Sequence, residues 1–177
     1  MAVDRFFRRS PGTVPVLAML ITLGLAAAPA IASRPIDSPD ERLVIQVSES
    51  VQHEFRIHLA VSPSERSQGL MYVRKMPDDV GMLFVYERPT LISMWMKNTY
   101  IPLDMIFIGE DGRILTIASD TVPHSLATIS SGKPAIGILE INAGISKKLG
   151  LAPGQIVRQR VLPSAAKEPA SGKDSGH

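Results

Sequence analysis

Glu140 interrupts the otherwise apolar run Ala135–Ile141, between Leu139 and Ile141. Alternation along a strand aims it away from the residues beside it, and burial raises the pKa of a carboxyl unless a partner intervenes. A second acid, Asp104, closes the segment MWMKNTYIPLD, Met94 to Asp104, which holds the only Trp of the chain. Two carboxyls facing one cavity would be the acid and base of a hydrolase. Arg66 or Lys97 beside either acid would instead make structural ion pairing, which recruits the same residue types. The third reading is that Asn98 and Asp104 tie down a loop by accepting backbone N–H groups, as Asx residues routinely do.

Lys97, Asn98 and Thr99 sit at the exit of the run Leu91–Met96. If Leu91–Asn98 is extended, Ile92, Met94, Met96 and Asn98 share one face, and Leu91, Ser93, Trp95, Lys97 and Thr99 share the other. Both faces are largely apolar before Lys97, so the expectation is a strand buried on both sides. Pro102 restricts Ile101 to extended geometry and fixes where Asp104 emerges. The leading reading is a cleft bordered by Arg66, Lys97, Asn98, Thr99, Asp104 and Glu140, with Trp95 as an apolar wall. Such a cleft suits a polar small molecule, a sugar or a peptide end.

Other chemistries find less support. Six of the eight Met lie between Met71 and Met105: Met71, Met76, Met82, Met94, Met96 and Met105. Thioethers select Cu(I), so a Met-lined copper carrier is an alternative, but Met also fills irregular core gaps. His53 and His58 are five apart, on opposite faces of a regular strand, and no His pair has zinc spacing. Ser130-Ser131-Gly132-Lys133 matches S-x-x-K, yet Gly132 and Pro134 break the helix that motif must open, so it reads as a turn. Neither a G-x-S-x-G elbow nor a phosphate-cradling Gly loop is present, and no motif calls for a metal or a cofactor.

The start of the chain speaks for export. Arg5, Arg8 and Arg9 precede an apolar run from Val14 to Ala28, and Ala30-Ile31-Ala32 is a small-x-small cleavage pattern. The reading is a signal peptide over residues 1–32, cleaved before Ser33, with an uncleaved anchor as its rival. No stable membrane span is expected after cleavage. The expected place is the periplasm or the medium. The absence of cysteine excludes disulfides, thiolate catalysis and Cys-based zinc sites. The pI near 9.0 misleads. Removing the three Arg and one Asp of residues 1–32 from the 19 Lys+Arg and 17 Asp+Glu leaves 16 of each sign. A nucleic-acid binder keeps a basic excess in its folded part, so nucleic acid is set aside and the partner is a small molecule or an envelope component.

These residues need a frame. Residues 33–42 read as a linker and 163–177 as a disordered tail, leaving one domain over 43–162. Strand signals fall at 43–47, 55–61, 82–86, 91–96, 103–108, 113–118, 135–141 and 155–162, with Glu87-Arg88-Pro89-Thr90 as a turn and Asp111-Gly112 closing a hairpin. Ser62-Pro63-Ser64-Glu65 is a capping box with Pro at the first helical position, so a short helix should run from Pro63 to about Leu70. A second should span Ile145–Leu149, stopped by Gly150 and Pro153. The fold class is mainly β: a compact barrel-like or jelly-roll-like domain of about eight short strands with two short helices.

Three blocks carry a resemblance. Glu65-Arg66-Ser67-Gln68-Gly69-Leu70-Met71, Gly81-Met82-Leu83-Phe84 and the segment from Met94 to Ile108 resemble the domain of unknown function 192, and Ile138–Gly144 and Gly150–Val157 fit its last third. Arg66, Gly69, Met71, Gly81, Trp95, Lys97, Asn98, Thr99, Pro102, Asp104, Glu140 and Gly144 match its signature positions. Met94 stands where the family often has an aromatic, and Asn142 where it often has Pro. The resemblance implies a compact, mostly β domain with short helices, often exported, and no assigned activity.

Overall fold

The computed structural model describes Pro39 and residues 41–162. The expected leader, most of the linker and the expected tail lie outside the described residues. Nine elements follow one another: β1 (Glu41–Gln46), β2 (Gln52–Ala60), α1 (Pro63–Gln68), β3 (Val80–Met94), β4 (Leu103–Ile108), β5 (Ile114–Ala118), β6 (Ile129–Asn142), α2 (Ile145–Lys148) and β7 (Ile156–Arg158). The strands form one seven-stranded sheet in the order β5-β4-β6-β3-β2-β1-β7, curled into a half-barrel. Neighbours run antiparallel except β2 and β3, which are parallel and joined across α1.

The mainly β architecture is as the alternation predicts, with seven strands in place of about eight. The two runs 82–86 and 91–96 form one long strand. Its pairing with β6 slips between Val85 and Thr90, so Glu87-Arg88-Pro89 bulge out of the ladder where a turn was expected. A bulge leaves its residues unpaired, which suits a Pro that has no N–H to give. A second slip, between Leu91 and Ser93, is matched on β6 by Ser131–Lys133. Ser130–Lys133 therefore belongs to a strand. Gly132 sits there at φ +67, and the buried Ser131 hydroxyl accepts the Ile92 N–H at 3.0 Å. Glu41 and Arg42 belong to β1, so the linker ends earlier than expected, and β7 is shorter than the run 155–162.

Both faces of the sheet are covered. Leu43, Ile57, Leu83, Ile106, Leu139 and Ile141 pack on one side. Phe84, Met96, Leu103, Met105, Phe107 and Ile138 pack on the other. β4 is buried at every position and reads as a near-continuous apolar run for that reason. β3 and β6 approach so closely at Gly81 that a Cβ there would lie 2.6 Å from the Glu140 carbonyl oxygen.

Candidate functional site

A cleft of about 260 Å³ opens on the Phe84 side of the sheet. Its floor is Phe84, Tyr86 and Glu140, one wall is α1 with Gly69–Met71, and the other is Ser93–Trp95 with Thr99. The first wall is fixed by the capping box. Ser62 accepts the Glu65 N–H, and the Glu65 carboxylate accepts the Val61 and Ser62 N–H groups at 3.0 and 2.8 Å. The helix ends at Gln68, two residues before Leu70, and Gly69 caps it at φ +47, where a Cβ would meet the Phe84 ring at 2.9 Å. Arg66 then reaches from α1 to the end of β2 and to β3. Its guanidinium donates to the Val61 and Val85 carbonyls and lies 4.8 Å from the Tyr86 ring centroid.

The second wall hangs on Asn98, which takes the left-handed conformation, φ +58, that Asn tolerates. Its side-chain amide donates to the Tyr72 hydroxyl at 3.0 Å, and its carbonyl accepts the Tyr72 N–H at 2.9 Å. Asn98 therefore buckles the two walls together from behind. Trp95 is 53% exposed with Lys97 Nζ 5.3 Å from its ring centroid. The expectation of a strand buried on both faces fails here. Ile92 and Met96 go into the core, while Leu91 is 65% exposed, because no described residue covers the outer side of this stretch.

Glu140 is the chemically distinctive group. The register lines up His58, Met82, Glu140 and Met105 across β2, β3, β6 and β4, on the cleft side of the sheet. Glu140 is 3% exposed, and no described residue donates a hydrogen bond to its carboxyl. Desolvation alone pushes its pKa up to about 8. Among the described residues no side-chain oxygen or nitrogen is both fully sealed and unpartnered, so the Glu140 carboxyl keeps its contact with the cleft. Tyr86 beside it is raised too, by burial first; Arg66 lowers it and Glu140 raises it.

Asp104 lies one register step away, opposite Ile141, and therefore points to the other side of the sheet. Its carboxylate is fully buried and accepts three bonds: the Asp120 N–H at 3.0 Å, the Ser146 N–H at 2.9 Å and the Ser146 hydroxyl at 2.6 Å. It ties β4 to the loop after β5 and to the first turn of α2. The two carboxyls share no cavity, which removes the geometry a hydrolase pair requires, and it places Asp104 outside the candidate binding residues.

Of the residues singled out in the sequence, Arg66, Trp95, Thr99 and Glu140 line the cleft; Lys97 and Asn98 support its wall from outside. Tyr86 was missed, although its i, i+2 relation to Phe84 on β3 puts it on the same face. Met76, Met96 and Met105 are core residues, and Met96 Sδ accepts the Thr121 hydroxyl at 3.2 Å. Met71 and Met94 line the cleft. No cluster of three His, Cys, Asp or Glu able to hold a metal occurs among the described residues, and no described helix is long and apolar enough to cross a membrane.

The sequence pattern of the domain of unknown function 192, described as uncharacterized ACR, matches residues 44–159, which is nearly the whole described domain. The chain belongs to the DUF192 family. The DUF192 fold recurs in the crystal structure of a candidate transcription regulator from Sinorhizobium meliloti 1021, 45% identical, with a TM-score of 0.68, covering 73% of this chain and 100% of that one. A protein of unknown function from Novosphingobium aromaticivorans DSM 12444 is 36% identical, with a TM-score of 0.66, covering 75% of this chain and 94% of that one. No curated protein matches the chain.

Proposed function

We propose that this DUF192 protein is an exported accessory domain of the bacterial envelope that binds a small ligand in the cleft beneath α1. The observation that carries the reading is Glu140: a buried carboxyl with no hydrogen-bond partner among the described residues, open to a cavity that holds Arg66 and an exposed Trp95. Buried polar groups are normally hydrogen-bonded, and leaving one unpaired costs about 1–3 kcal/mol. A ligand that reaches it through the cleft supplies the fixed partner that no described residue provides. Asp104 supplies the contrast, since the same fold gives that acid three donors. The basic start, apolar run and cleavage pattern of residues 1–32 and the lack of cysteine support export. The Sinorhizobium relative's assignment to transcription finds no support in the balanced charge of residues 33–177.

A thermal-shift screen of the protein against organic acids, amines, sugars, peptides and nucleotides tests the reading, because a ligand that prefers the native state raises Tm. At least one class should raise Tm in the wild type and lose its effect in Glu140→Leu and Trp95→Ala. A hit that is indifferent to both substitutions would move the binding site elsewhere.

A further inference from the structure

The charge distribution around the cleft narrows the ligand. Arg66 is the only formal cation among the lining residues, and no carboxylate among the described residues pairs with it; its bonds go to two main-chain carbonyls and its face to Tyr86. The carbonyls orient the guanidinium without neutralising it, and the remaining N–H groups form the planar fork that matches a carboxylate. Lys97, also without a carboxylate partner among the described residues, holds its Nζ 5.3 Å from the Trp95 ring centroid. The one acid in the lining is Glu140, and the apolar remainder of the walls is Leu70, Met71, Met94 and Trp95.

We propose that the ligand is a carboxylate joined to an apolar body, with its charge met by Arg66, one oxygen accepting a hydrogen bond from the Glu140 carboxyl, and its body lying along Met71, Met94 and Trp95. This rests on the reading of the cleft as a binding site and specifies its chemistry. A neutral carboxyl donates a hydrogen bond to an anion where an ionised one would repel it. Glu140 is kept neutral at pH 7 by the same desolvation that leaves it unpartnered. The other ionisable groups around it are Tyr86 on β3, Arg66 on α1 and His58 on β2, two strands along the same row; β4 contributes only Met105 there. Tyr86 is held above the ordinary tyrosine range, so the ionisation of Glu140 comes first as pH rises through about 8.

The carboxylate could come from a free organic acid or from the end of a peptide. Calorimetric titration of the full chain with hexanoate, octanoate, hexanamide and hexylamine, and with an N-acetylated apolar tripeptide in free and amidated form, separates these cases. The expected result is that a carboxylate, free or peptidic, binds at least tenfold tighter than its amide or amine counterpart. Its affinity should fall by about tenfold per pH unit above pH 8, and Glu140→Gln, which keeps a donor but cannot ionise, should flatten that profile. Whichever carboxylate arm binds names the source. Hexanamide or hexylamine binding as tightly as hexanoate, with loss in Trp95→Ala, would overturn the carboxylate and leave the cleft standing. So would a ligand from the screen that binds when no carboxylate does. A carboxylate preference unchanged in pH profile by Glu140→Gln would overturn the role of that proton. Silence from every probe and from the whole screen would overturn the cleft itself.

Discussion

Asp104 and Glu140 stand on neighbouring strands, one register step apart and both buried, yet their surroundings are opposite. Asp104 meets two backbone N–H groups and a hydroxyl, which give its buried carboxyl the hydrogen-bond partners that burial demands. Glu140 lies between Met82 and Met105 and no described residue donates to it, so burial raises its pKa to about 8. The difference comes from what the chain places over each face. Over the Asp104 face come the loop after β5 and the open N-terminal turn of α2, both rich in backbone donors. Over the Glu140 face come α1 and the Trp95 strap, which stop short and leave a hollow. Burial alone therefore says little about an acid's role; the donors brought to it decide between a tie and a site.

The comparison can be broken most forcefully at Asp104. Asp104→Ala strands three donors at once and should lower the unfolding free energy by about 3–5 kcal/mol in urea titration. A loss below about 1 kcal/mol would mean that Asp104 is no tether. Glu140 should behave in the opposite sense. Its pKa is raised in the folded state, so the folded chain holds a proton that the unfolded chain releases above about 4.5. Stability should thus fall as pH rises from about 4.5 through about 8, on the order of 5 kcal/mol in all, with the full contribution present at lower pH. Glu140→Gln should remove that slope and should be no less stable than wild type at pH 9. A steep slope surviving the substitution would assign it to another group.

Two smaller effects sharpen the picture. Gly81→Ala forces a Cβ against the Glu140 carbonyl and the Ile141 side chain, 2.6 and 3.0 Å away, and should cost about 1–3 kcal/mol by pushing β3 from β6. An unchanged Tm would show that the strands have room to part. Trp95→Ala removes a side chain that is mostly exposed and should change stability by less than about 0.5 kcal/mol. Its effect should appear in ligand affinity instead, and a large drop in Tm would recast Trp95 as packing.

The sequence carries the frame of this molecule clearly. The capping box at Ser62–Glu65 and the hairpin at Asp111-Gly112 are local devices, and both form where their residues predict. The bulge at Glu87–Pro89 was illegible because a Pro-bearing polar run reads the same whether the chain turns or steps out of a ladder. Arg66, Trp95, Thr99 and Glu140 were nameable as a group from their types, and they do share one cleft. The separation of Asp104 from Glu140 was not nameable, since side is set by cross-strand register, and a shift of one residue would put both acids on one face. Leu91 and Trp95 looked buried because apolar runs carry no mark of an uncovered face.

The central claim is that Glu140 is a buried, proton-holding carboxyl awaiting a partner. Carbon-detected NMR titration of the glutamate side-chain carboxyls, with the Glu140 signal assigned by its loss in Glu140→Gln, reads that state directly. The account predicts a midpoint of about 8 in the ligand-free protein. A midpoint near the ordinary glutamate value of 4.5 would contradict it, by showing that water or a protein donor already satisfies the group.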